Sequence, residues 1–510
     1  MRFPGRKADS LLRRNGFLLL AFISGAVIRL IPEILAGPYG VVGYDLIAYY
    51  APVLYHKELV FADWRILFAP PNFSPGIYLA LLWVPREYVF LALRSLVVVS
   101  YGFLSAAIFF FVQARLRLSP KWAFFTALFV CLQVGTLRIG WDLIKNTVAE
   151  SFVLVILSGK FQQSSKSTRL MAIATALVHQ LMAILLAAIL AFQLVLNRNS
   201  SNHGASNRRA IAFNIIIILV SVVVTIVLPG NTIGLPVSGT VYYIPARSIG
   251  SPTQLFVDYL AVYGSYLSVY SRVLLLGALL FAPIIPLAVV GWHKEEILSV
   301  WALITAVAGL SPLILPTFAA GFWDRWLFLL VLPVSIWGAS GVKRIVQNVS
   351  RLRIAGLVFL FLLLVPSLWL TSNFMALPPE HANPYFTNPA TLPVFPSSML
   401  QNTVPLSDVK DVENAVATLN QIMTERSVVL VHESFFGWTS IGLTGKKAVI
   451  DYLLGTPEDA VPVARSHGFT TIYWIWWVPG INMHGYEAST QKFEPIYVSG
   501  RIAVYTYKGP

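Results

Sequence analysis

The chain has 510 residues, 56% of them hydrophobic and only 12% charged, with a mean hydropathy of +0.70. A soluble domain carries about 25% charged residues, and apolar runs near 20 residues recur here, so the sequence reads as a polytopic α-helical membrane protein and excludes a soluble globule. The net charge of +14 is uneven: residues 1–372 hold 29 Lys+Arg against 12 Asp+Glu, residues 373–510 hold 8 against 11, and membrane topology explains that split better than nucleic acid, which is excluded as a partner class.

The N-terminal RKADSLLRR and GFLLLAFISGAVIRLIPEILA have the charge order of a signal peptide. The apolar part is too long and lacks a small-residue cleavage site, so it reads as a retained first span. About eleven spans are expected, near 16–36, 88–112, 121–137, 146–159, 169–179, 181–196, 210–228, 273–291, 297–317, 324–341 and 354–372. With a cytoplasmic N-terminus, segments 1–15, 113–120, 160–168, 197–209, 292–296 and 342–353 fall on the cytoplasmic side. Each carries at least one Lys or Arg, the residues the positive-inside rule counts. Cys131, the single cysteine, lies in an apolar run, which excludes an intrachain disulfide and a thiolate metal cluster.

Residues 169–196 form one apolar run with basic loops at both ends. A single crossing would put one basic loop outside. Two short helices meeting near Val178, His179 and Gln180 satisfy both ends. Such a break is tolerated where it is buried in protein or lines a wet cavity, so His179 is expected to face a cavity near the outer side.

Three outer segments are large: 37–87, 229–272 and the tail beyond 373. Residues 1–372 are thus expected to form the transmembrane domain, 373–400 a Pro/Asn-rich linker, and 401–510 a small extracytoplasmic α/β domain. In that tail, 408–426 and 456–468 read as helices, the second opened by a threonine cap with acids in its first turn. Segments 427–432, 447–453, 470–477, 495–499 and 502–508 read as strands.

Acids are few in the membrane part, and Asp45, Glu58, Asp63, Asp142, Asp258 and Asp324 all fall on or near the outer face of this topology. Residues 44–58 (YDLIAYYAPVLYHKE) can form an interfacial helix that places Asp45, Tyr49, Pro52 and His56 near one stripe. Pro52 would bend or split it. The plainer alternative is an amphipathic helix on the headgroups, capped by Asp45. RIGWDLIKN (138–146) reads as a short outer turn whose Arg138, Asp142 and Lys145 hold a phosphate, or simply pair with one another. GFWDRW (321–326) offers Arg325 to a phosphate or carboxylate, or serves as an interfacial anchor. His179 alone is more often a buried, satisfied histidine than a ligand. There is no Gly-rich phosphate loop, H-E-x-x-H, CxxC or G-x-S-x-G. Outward carboxylates without a nucleotide loop suit a donor delivered by lipid.

Four stretches resemble the GT-C superfamily of membrane glycosyltransferases, particularly the protein mannosyltransferase and lipid A aminoarabinose transferase kind. They are GYDLIAYY with Asp45, WDLIKN with Trp141, Asp142, Lys145 and Asn146, the break at His179, and DRWLFLLVLP with Arg325 and Trp326. The resemblance implies a polyprenyl-phosphate-linked sugar donor, transfer on the extracytoplasmic side, and Asp45 as general base or metal ligand. Many relatives show two adjacent acids in this loop, whereas Tyr44 and Leu46 flank Asp45 here. No metal-ligand set follows from the sequence, although a divalent ion is compatible with it. The acceptor, whether lipid, glycan or protein, is left open. Tyr49, His56, Arg138, Asp142, Lys145, His179 and Arg325 are the expected substrate-binding residues. Two other classes remain open. A transporter or lipid flippase for a glycolipid or polyisoprenoid predicts charged pairs deep within several spans, and here Arg29 and Glu150 are the nearest cases. An adhesion protein predicts binding aromatics in the tail, where TTIYWIWW is explained more simply as a strand.

Overall fold

A computed structural model describes residues 5–37, 41–68, 75–196, 205–227, 241–243, 266–315, 323–348, 402–445, 447–452, 456–478 and 491–509. The expected span at 354–372 and the linker at 373–400 lie outside the described residues, as does most of the loop at 229–272.

The membrane part begins with α1 (Gly5–Ala36) and continues, after the first loop, with α5 (Val89–Arg115). Then come α6 (Pro120–Cys131), α7 (Val134–Asp142), α8 (Ile144–Leu157), α9 (Lys166–Val178), α10 (Gln180–Leu196) and α11 (Ala205–Val227). It closes with α12 (Tyr266–Phe281), α13 (Ile285–Gly291), α14 (Glu296–Leu310) and α15 (Trp323–Asn348). Among the described residues, five helices are long and apolar enough to cross a membrane, or seven if each of two bent pairs counts as one span. Eleven spans are not seen among these residues, and the expected one at 354–372 falls outside them. Helices do form at 146–159, 169–179 and 181–196, but α8, α9 and α10 have 14, 13 and 17 residues, short of the roughly 20 that cross a bilayer.

The bent pairs are α6 with α7, at 70°, and α12 with α13, at 56°. The first bend corrects the reading of RIGWDLIKN as a turn: Arg138 to Asp142 are helical, and the chain breaks only at Leu143 before α8 resumes. Carbonyls released at such a bend need partners where water is scarce. Tyr101 Oη donates to Cys131 O at 2.6 Å, and Gln133 Nε2 donates to Phe129 O at 2.8 Å. Where α13 crosses α15, a Cβ on Gly291 would meet Trp337 O and Gly341 N, and one on Gly341 would meet Leu287 O. Only glycine permits that approach, as in other tightly packed membrane helices.

The reading of 169–196 as two short helices holds in geometry. His179 is extended between α9 and α10. Gln162, near the start of α9, and Gln193, near the end of α10, line one cavity, so the two helices fold back on each other. Asn214 Nδ2 donates to Gln163 O at that end, and Gln180 Nε2 donates to Thr225 Oγ1 at the other. The segments 113–120, 160–168 and 292–296 also meet at this first end, where Arg115, Gly159 and Lys294 share the same cavity. We call it the far end of the bundle.

At the opposite end the first loop folds into a π-helical turn (Leu46–Tyr50) that runs into α2 (Ala51–Tyr55), then α3 (Lys57–Ala62) and α4 (Pro75–Leu81). The expected single helix over 44–58 is thus divided. Pro52 has no N–H to donate, and the widened turn lies immediately before it, while His56 breaks the chain after Tyr55. The π turn also shifts the helical phase, so Asp45, Tyr49 and His56 do not form one stripe. Leu46, Ile47, Ala48, Tyr50 and residues 51–54 are buried. The segment lies inside the protein, not on headgroups.

The tail is a six-stranded sheet of order β1-β3-β2-β4-β6-β5. Its strands are β1 (Val241–Tyr243), β2 (Ser427–Val431), β3 (Ala448–Asp451), β4 (Thr471–Trp477), β5 (Phe493–Ser499) and β6 (Ile502–Tyr507). The first four in that order are parallel, and the last two are antiparallel. Helices α16 (Val409–Ile422), α17 (Glu433–Gly442) and α18 (Pro457–Ser466) pack on it. All five expected strands are present, as is the threonine cap: Thr456 and Asp459 form a reciprocal capping box. Trp474, Trp476 and Trp477 are fully buried, so TTIYWIWW is core strand. Two elements are additional. Edge strand β1 comes from the loop at 229–272, and α17 comes from ESFFGWTSIG. The tail does not merely hang from its linker, because its buried residues and those of the bundle form one continuous apolar core.

Candidate functional site

The end of the bundle under the tail gathers the residues singled out above. Arg29, in the first span, organises it. Its Nε donates to Gly140 O at 2.8 Å, and its Nη2 donates to Val42 O at 2.8 Å and to Trp141 O at 3.3 Å. Its Nη1 pairs with Glu33 at 2.8 Å, and Glu33 also pairs with Arg94 at 2.9 Å. The fork geometry of the guanidinium suits this set of acceptors. It ties the first loop to the end of α7. Gly43 then turns the chain at φ +122°, a value that favours glycine, and Asp45 follows.

Asp45 is buried, 6% exposed. Its side chain makes no capping hydrogen bond to the π turn, and Oδ2 has no hydrogen-bond partner. The cap explanation for this acid therefore fails. Its charge acts on Arg138 and Lys145, both buried. Arg138 also feels Asp324 and Arg325, Lys145 feels Arg325, and His179 feels Lys145 and Arg325. Asp45, Arg138, Lys145, His179, Asp324 and Arg325 thus share one electrostatic neighbourhood, drawn from the first loop, α7, α8, the α9–α10 break and the start of α15. Among these described side chains three cations meet two carboxylates. Asp142 lies at the end of α7, and its side chain is outside the described residues.

His179 owes its place to helix chemistry. It stands where α10 begins, and its Nδ1 accepts the Met182 N–H at 3.2 Å, as an N-cap side chain does. In the neutral ring that bond puts the proton on Nε2.

Tyrosines line the Asp45 side. Tyr78 Oη donates to Tyr49 O at 3.2 Å, and the Tyr50 and Tyr78 rings lie 5.2 Å apart. Burial, with a smaller push from the Asp45 charge, raises both phenols well above their usual range, so both stay neutral. Tyr50 Oη is buried without a partner. So are both amide atoms of Asn146, next to Lys145. An unsatisfied buried polar atom costs about 1–3 kcal/mol, and a concentration of them calls for a ligand or water. Tyr50, Tyr78, Asn146 and Asp324 are additions to the sequence-derived set. Asn146 belonged to the WDLIKN stretch, and Asp324 precedes Arg325, whereas nothing in their spacing marks the two tyrosines.

His56 has a different task from the one expected by its spacing. Its Nε2 donates to Ser440 O on α17 at 2.7 Å. Asn402 Nδ2 donates to Val41 O at 2.7 Å, and a Cβ on Gly437 would meet Ile47 O. The tail therefore clamps the π turn that carries Asp45. Gly437→Leu, which wedges α17 away from Ile47, is expected to cost about 1–3 kcal/mol and to expose the tail to limited proteolysis. An unchanged digestion pattern would show that the clamp is dispensable.

Among the described residues, no group of three or more His, Cys, Asp or Glu side chains is placed to hold a metal ion. No protein-family model matches the chain, and no curated protein matches it either.

Proposed function

We propose that this chain is an integral membrane glycosyltransferase of the GT-C kind, moving a sugar from a polyprenyl-phosphate-linked donor to an acceptor hydroxyl. The observation that carries this reading is an unpartnered buried carboxylate oxygen, on Asp45, whose charge reaches the cations Arg138 and Lys145, both of which also feel Arg325. An inverting transfer needs those two things. A base must sit within reach of the acceptor hydroxyl, and cations must stabilise the phosphate as it leaves. In this scheme Asp45 Oδ2 takes the acceptor proton. The acceptor oxygen bonds to the sugar's anomeric carbon while the bond from that carbon to the phosphate oxygen breaks. Arg325, Arg138 and Lys145 hold the departing polyprenyl phosphate. His179, with Nε2–H, and Tyr50 are placed to hydrogen-bond the sugar or phosphate. Tyr49 contributes from the same turn. Lys and Arg in the segments at the far end support a cytoplasmic position for it and an outer position for the tail.

The transporter or flippase reading draws support from the bent helices, since broken spans line many transport paths. The buried charges, however, are held in place: Arg29, Glu33 and Arg94 bind one another and backbone carbonyls. A prediction separates the two. Arg325→Ala is expected to weaken binding of polyprenyl phosphate by about 10-fold or more, the loss of one charge-assisted contact, with little change in thermal stability. Unchanged binding would leave Arg325 as an interfacial anchor.

A further inference from the structure

The far end of the bundle, remote from Asp45, holds two adjoining cavities. One, of about 540 Å³, is lined by polar groups that include Arg115, Gln162, Gln193, Lys294 and Glu296. The other, of about 240 Å³, is an apolar groove between α10 and α14, along Phe192, Leu196, Val300 and Leu303. Lys294 and Glu296 line both. The groove therefore starts where the polar cavity ends. It extends from Glu296 to Leu303, about 10 Å at the rise of an α-helix. Phe192, Leu196 and Leu303 are exposed, so the groove is open to the outer surface of the bundle.

The charges in the polar cavity feel one another without pairing directly: Arg115 lies in the field of Glu295 and Glu296. Arg115 uses Nε on Leu157 O at 2.6 Å, and its terminal nitrogens make no further hydrogen bond among the described residues. Lys294 and Glu296 make no hydrogen bond or ion pair among the described residues. Glu295 is committed, because its Oε2 accepts the Leu298 N–H at 2.7 Å as the cap of α14. Beside an apolar groove the cavity thus offers the terminal guanidinium nitrogens of Arg115, the Lys294 ammonium and the Glu296 carboxylate, none of them held in a direct hydrogen bond or ion pair among the described residues.

We propose that this pair of cavities binds a zwitterionic, amine-bearing glycerophospholipid. Its phosphate sits against Arg115 and Lys294, its ammonium against Glu296, and its upper acyl chain in the groove. An anionic lipid would meet the cations but leave Glu296 facing negative charge. A free phosphate compound would leave the groove empty. The proposal does not depend on the function assigned to the Asp45 end.

The test is native mass spectrometry of the full chain, purified in detergent and titrated with phosphatidylethanolamine or phosphatidylglycerol. Wild type is expected to retain one phosphatidylethanolamine with at least about 10-fold preference over phosphatidylglycerol, a difference worth about 1.4 kcal/mol. Glu296→Gln removes that preference, Lys294→Gln weakens both lipids, and Leu303→Asp weakens both by spoiling the groove. These three side chains are exposed, so the variants leave the core untouched. Equal binding of the two lipids by wild type, or an unaltered preference in Glu296→Gln, overturns the proposal. Inorganic phosphate that displaces the lipid competitively would instead identify a simple anion site.

Discussion

Asp45→Asn is expected to reduce transfer at least about 100-fold, the lower end of what a positioned base contributes, while the protein expresses, folds and melts as wild type does. The variant keeps the shape of the side chain. It also breaks no structural bond, because Asp45 caps no helix and its Oδ2 has no partner. An acid held for stability would behave in the opposite way, losing unfolding free energy and leaving turnover intact. The measurement pairs turnover of lipid-linked sugar by the purified protein with its thermal midpoint in the same detergent. Near-wild-type turnover would remove Asp45 from the chemistry.

Arg29→Met is expected to destabilise the protein by about 3 kcal/mol, the low end for removing one partner of a buried ion pair. The low end applies because Arg94 still pairs with Glu33 at 2.9 Å. Three carbonyls, of Val42, Gly140 and Trp141, lose their donor together. The loop that presents Asp45 then loses its tie to α7. Activity is expected to fall further than stability alone explains, and Arg29→Lys not to restore it, because an ammonium cannot span the same acceptors. A denaturation midpoint and a turnover assay on both variants check this. Wild-type behaviour of Arg29→Met would mean that the loop is held by the tail alone.

Much of this architecture was legible in the residues. Hydropathy located the helices, and the alternation of charge between loops located the fold-back at His179, because one basic loop at each end of 169–196 demands an even number of passages. Strand patterning located β2 to β6. The errors share a cause, namely that tertiary contacts stabilised what local pattern does not encode. The chain can turn 70° between α6 and α7 because Tyr101 and Gln133 satisfy the carbonyls at the end of α6. The first loop is buried because α17 covers it, and α17 reads as a featureless stretch until its Gly437 meets Ile47. β1 is three residues long, too short for a periodicity signal, and is fixed by pairing with β3. At the site, scarcity of acids pointed to Asp45, and the cations around it were among those expected. His56 was displaced from that set by the π turn, which no period-3.6 pattern anticipates.

The proposed donor is a phosphate-bearing polyprenyl chain that meets Asp45, Arg138, Lys145 and Arg325 at one end of the bundle. Photo-crosslinking with a diazirine-tagged polyprenyl phosphate tests this without knowledge of the sugar or the acceptor. The predicted result is labelling of peptides from α7, α8 and the start of α15, abolished by excess untagged polyprenyl phosphate and strongly reduced in Arg325→Ala. Labelling spread over the lipid-facing helices, indifferent to competitor and to that substitution, would contradict it.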